Sequence, residues 1–141
     1  MSKMTKDERE EFLARRHVGV MAIEHEGRPP LTVPIWYSYE PGGEILITTH
    51  SESMKARLLA AAGRFSMCAQ SEELPYKYVS VEGSITDTRP CDVETENRPM
   101  ARRYLGKHSG DAYIEDGDYS KSITITMQPD RWYTVDYGKT L

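Results

Sequence analysis

Short runs of alternating apolar and polar residues, cut by glycine and proline, fill most of this chain, and helical spacing is confined to a few stretches. Thr5 with Glu8 has the spacing of a capping box, which predicts a helix from there to about Arg16 whose strong apolar residues are Phe12 and Leu13. His17–Glu24 reads as a strand, apolar on both faces as in a barrel or a buried interface. After a turn at Gly27, the β-branched and aromatic run 30–39 predicts a second strand. Pro34 cannot donate to a ladder, so this strand is expected at an edge or bulged. The turn Glu40–Gly43 leads to a third strand, which passes through Thr48 and Thr49 into a helix opened by Ser51 and Ser53 and ended by Gly63. On that helix Met54, Leu58, Leu59 and Ala62 form the expected core stripe.

The second half repeats the same grammar. Arg64–Gln70 is a fourth strand, and Cys68 within it reads as a buried small hydrophobe. Lys77–Thr86 is a fifth, alternating cleanly, with Gly83 marking a bulge or a close backbone approach. Asp92–Leu105 is helix-prone, limited upstream by Pro99, and a second short helix or turn begins at Ser109. Ser122–Met127 alternates strictly, and Trp132–Tyr137 closes the sheet. The expected fold is mostly β with flanking helices: a six-stranded antiparallel barrel with helices at its openings, forming one domain over residues 1–141.

Composition narrows the possible partners more than the fold. With 141 residues, 38% hydrophobic and 28% charged, the chain can build a core without disulfides or a metal. A net charge of −4 does not favour nucleic acid, so any anion site must be local. Cys68 and Cys91 make neither a CxxC pair nor a disulfide framework, so both are expected to be reduced, in a cytoplasmic protein. The charged N-terminus has no apolar signal core, and no apolar run is long enough to span a bilayer, so no membrane partner is expected.

Few clusters carry chemistry. The histidines His17, His25, His50 and His108 have no metal-site spacing, so no metal is expected. GxGxxG and GxSxG are absent. Glu115–Asp118 has the look of part of a calcium loop but reads as an acidic turn. The order strand, Thr48–Thr49, Ser51-x-Ser53, helix, Lys55, Arg57 is suggestive of a phosphate site. A helix N-terminus presents unpaired N–H groups and partial positive charge, to which Lys55 and Arg57 would add full charges. The alternative is that both cations lie on the solvated face of an amphipathic helix.

Gly27-Arg28-Pro29, Val33–Tyr37, Ile47-Thr48-Thr49, Ser53–Arg57, Arg64-Phe65-Ser66 and Tyr76–Gly83, in this order and spacing, resemble the pyridoxamine 5′-phosphate oxidase-like, FMN-binding split β-barrel superfamily. More narrowly, they resemble its flavin and deazaflavin oxidoreductases of actinobacteria, which bind FMN or coenzyme F420. The likeness covers residues 15–87 best. It implies a homodimer with two cofactor sites at the subunit interface. It places Thr48, Thr49, Ser53 and Lys55 on the phosphate, with Arg57 as a helper. Backbone at Val33, Pro34, Ile35 and Trp36 would line the ring, and Lys77 and Tyr78 would reach cofactor or substrate, across the dimer if not within one chain. Met54 stands where the oxidase proper has arginine, and Arg131–Trp132 differs from its C-terminal signature. The implied function is therefore hydride transfer from reduced F420, or from FMN as the alternative, to a small organic substrate. The competing implication is a split barrel that binds a flavin-type cofactor or haem without turnover.

Overall fold

The alternation read in the sequence becomes an alternation of inside and outside along every strand. A computed structural model describes residues 2–140. The elements are α1 (Lys6–Ala14), β1 (Gly19–Ile23), β2 (Leu31–Ile35), β3 (Ile45–His50), α2 (Met54–Ala62), β4 (Arg64–Ser71), β5 (Lys77–Pro90), α3 (Arg98–Leu105), α4 (Lys107–Glu115), β6 (Ser122–Met127) and β7 (Arg131–Asp136). In β1, Met21 and Ile23 are fully buried, while Val18, just before it, and Val20 are 52% and 46% exposed. Inward residues of β3, β4, β5 and β6 (Ile45, Ile47, Met67, Val79, Val81, Ile125 and Met127) complete the core, with Phe12 and Leu13 of α1 against it.

All strand pairings are antiparallel, in the order β2-β1-β4-β5-β6-β3, and β7 is a seventh strand paired to the first part of β5. The two ends of this path meet. Ser38, beyond β2, exchanges two backbone hydrogen bonds of 3.0 Å with Leu46 of β3. The sheet is thus curled into a split barrel whose seam is one bridge wide. Gly83 is the close approach expected of it, since a Cβ there would lie 2.0 Å from the Gln128 carbonyl oxygen where the chain turns from β6 to β7.

Several local expectations change. The second strand stops at Ile35, because Trp36 and Tyr37 enter the seam; β2 remains an end strand, as Pro34 required. Cys68 is half-buried on the outer face, since strand parity puts Met67 and Ala69 inside instead. Met54 opens α2 and is 48% exposed; Ala56 and Leu59 are the helix's buried residues. The segment after β5 is not one helix. A five-residue π-helical turn, Val93–Asn97, runs into α3, with proline in the first turn of α3, and α4 starts at Lys107, two residues earlier than expected. No helix among the described residues is long and apolar enough to cross a membrane.

Candidate functional site

The seam opens into a cleft of about 410 Å³, within the range of cofactor and ligand pockets. Its floor is the barrel at β2 and β3, and its cover is the α3–α4 pair. One wall is apolar and aromatic. Pro34, Ile35 and Trp36 face Met100 and Ala101 of α3 and Tyr113 of α4. Trp36 is held flat, its ring stacked on Tyr104 at 5.0 Å and 3°. Tyr104 fills the gap where the β1–β2 ladder ends: its hydroxyl accepts the Tyr37 N–H at 3.1 Å and donates to the His17 carbonyl. Backbone that β2 leaves unpaired is thereby satisfied by a side chain.

The other end of the cleft is polar, lined by Thr48, Thr49, His50, Asn97, Asp118 and Ser122. Thr49 connects it to α2, with its hydroxyl 3.2 Å from that of Ser53. Ser53 is the N-cap and accepts the Ala56 N–H at 3.1 Å. The His50 ring accepts the Glu52 N–H at Nδ1, 3.0 Å away, which leaves its Nε2–H free to donate. The Ser120 backbone N–H holds the Asp118 carboxyl below the usual carboxylate range.

The expected site residues divide into groups. Pro34, Ile35, Trp36, Thr48 and Thr49 share the cleft, and Ser53 adjoins it through Thr49. Lys55 sits in the first turn of α2 and has no ion-pair or hydrogen-bond partner among the described residues. Arg57 turns back on its own loop and donates to the Glu52 carbonyl at 3.3 Å. Val33 packs against the barrel core instead of lining the cleft. Lys77 and Tyr78 begin β5, pairing with Asp136 and Val135 of β7, whereas β3 and the cleft adjoin the far end of β5 through β6. Within one chain they do not reach the cleft. Asn97 and Asp118, on the β5–β6 connection, and Ser122, which opens β6, carry no motif that signals a site, and Tyr113, which reads as a packing residue in the sequence, also lines the cleft.

The sequence matches no protein-family model and none of the curated proteins. Solved structures do match. A protein described as an F420 reductase superposes with a TM-score of 0.76 at 21% identity, over 88% of this chain and 94% of that one. A conserved hypothetical protein of Mycobacterium tuberculosis gives 0.80 at 20% identity, over 97% and 88%. An FAD-binding protein of Mesorhizobium loti gives 0.69 at 20% identity, over 94% of each chain. At these identities the likeness speaks for the fold alone: this chain has the same split β-barrel fold as those structures.

Proposed function

We propose that the protein is an oxidoreductase that holds F420, with FMN as the alternative, in the cleft at the barrel seam, and that it acts as a homodimer. One observation carries the reading: a flat apolar wall at Pro34–Trp36 is continuous with a hydroxyl-lined end that abuts the capped N-terminus of α2, beside Lys55, which has no partner among the described residues. That is the layout a planar ring joined to a phosphate requires. Thr48, Thr49, Ser53 and Lys55 hold the phosphate, Arg57 assists, and the His50 Nε2–H adds a donor. Backbone from Val33 to Trp36 lies along the ring. The bound ring supplies the hydride chemistry, while the chain supplies orientation and a dry surface.

The dimer brings in what one chain lacks. Across the outer face of the sheet, Pro34, Val20, Cys68, Ser80 and Tyr133 stand in one row of register partners, free of charge and half-buried or exposed. A partner seated on this row would cover it and would carry its own Lys77 and Tyr78 towards the cleft. Names among similar structures that specify only FAD or haem binding favour, as a second reading, a cofactor binder without turnover.

Fluorescence titration with F420 and FMN tests the proposal. The expected outcome is micromolar or tighter binding of one of them, weakened about tenfold or more in Lys55→Ala. Absence of binding by either cofactor refutes it. Steady oxidation of the reduced cofactor by quinones or activated enones, above the protein-free rate, separates the enzyme from the binder.

A further inference from the structure

Asn97 is an asparagine with almost no structural employment. It is only 5% exposed. It closes the π-helical turn Val93–Asn97 and leads into α3, in helical conformation, where its side chain makes no capping hydrogen bond. Its Nδ2–H donates to the Ser122 hydroxyl at 3.3 Å, and its Oδ1 has no partner among the described residues. Reversing the amide would orphan Nδ2 instead, because a serine hydroxyl can donate or accept. One buried polar atom is therefore unpaired in either orientation, at a cost that native proteins rarely carry without a use. Asparagine is also a poor helix former, and π turns inserted in helices concentrate at functional sites.

The position suggests the use. Asn97 and Ser122 both line the cleft. Ser122 is the register partner of His50, next to Thr49, so this pair borders the polar end. One turn further along, Met100 and Ala101 begin the apolar wall. Asn97 thus stands where the polar lining gives way to the apolar one. In FMN and in F420 alike, the part of the molecule between ring and phosphate is a chain of hydroxyl groups. A hydroxyl satisfies the free amide atom in either orientation, since it both donates and accepts.

We infer that Asn97 is a ligand-recognition residue whose unpaired carboxamide atom binds a hydroxyl of the chain joining ring to phosphate. The inference rests on the cofactor reading above. It is tested by titrating wild type, Asn97→Leu and Asn97→Asp with FMN, F420, riboflavin, which lacks the phosphate, and lumiflavin, which lacks the hydroxylated chain. Asn97→Leu weakens about tenfold whichever of FMN, F420 and riboflavin the wild type binds, and leaves lumiflavin unchanged. Asn97→Asp, which keeps an acceptor of the same shape, retains riboflavin binding close to wild type. The ligand-free melting temperature of Asn97→Leu equals or exceeds that of wild type, because an orphaned polar atom has been removed. Equal losses for lumiflavin and riboflavin, unchanged binding of all ligands, or a lowered ligand-free melting temperature would each overturn the inference. A wild type that binds none of the four ligands overturns the cofactor reading and this inference with it, whereas a wild type that binds and a variant that binds equally well overturn the inference alone.

Discussion

Tyr104 does with one hydroxyl what a sheet does with a row of backbone groups. It takes the Tyr37 N–H and gives its own proton to the His17 carbonyl, while its ring backs Trp36. Tyr104→Phe keeps the stack and strands the Tyr37 N–H. A loss of about 1–3 kcal/mol is expected in denaturant unfolding, together with a weaker cleft wall. In the sequence Tyr104 reads only as part of an apolar stripe, because nothing in a helix pattern reveals a hydroxyl that reaches the distant end of the β1–β2 ladder. Residues whose role is local were easier to read. Thr5 and Glu8 form the capping box, Gly63 the left-handed cap, and Pro34 sits on an end strand. Each obeys a rule about its own backbone. Cys68 and Met54 were misjudged for the complementary reason: which side of a strand or helix meets the core is decided by neighbours the sequence does not name.

At the scale of elements, α3 and α4 are bound mainly to each other. Arg98 and Arg102 both reach Asp111, at 3.0 and 2.7 Å, and Arg98 also pairs with Glu94 and Glu115. The two guanidinium hydrogen bonds depress the Asp111 carboxyl from its ordinary 3.8 to about 2. The sign follows from linkage: the unfolded chain takes up the proton first. The stabilisation is therefore complete above the ordinary carboxylate value and is lost as pH falls from about 3.8 towards about 2. Thermal melts are expected to show a steeper acid decline for wild type than for Asp111→Asn between those limits, with local hydrogen exchange reporting α4 as the part that loosens. Strands were legible because period two is read directly from the residues. The π turn was not, since Val93–Asn97 looks like ordinary helix until the extra residue in the turn is seen. Asn97, the cleft residue it positions, was missed with it.

For the molecule as a whole, the unanswered surface is the outer face of β1. Val20 is 46% exposed beside its register partner Pro34, although it lies on a strand with neighbours on both sides, and Val18, just before the strand, is exposed at the edge of the cleft. Both faces of this strand are apolar in the sequence, which fits a barrel or a buried interface. The inner face proved to be barrel. The proposed dimer uses the outer one. Val20→Lys is expected to convert two-chain particles to single chains in size-exclusion chromatography with light scattering, and to lower cofactor affinity in step. A Val20→Lys protein that stays dimeric removes this face from the proposal. The connection that carries the cleft's cover leaves the barrel at Pro90 and returns at Ile123, and these two residues are themselves register partners. The Cys91 N–H donates to the Ser122 carbonyl at 3.0 Å just beyond them. Everything from α3 to α4 is therefore a loop-out from one closed rung of the ladder, braced by its own ion pairs. The rung itself does not depend on the side chains of residues 92–121, but Tyr104 and Arg103 of α3 also bond to the backbone at His17, Tyr37, Ala14 and Arg15, so any exchange of the loop-out has to replace those ties to the barrel as well.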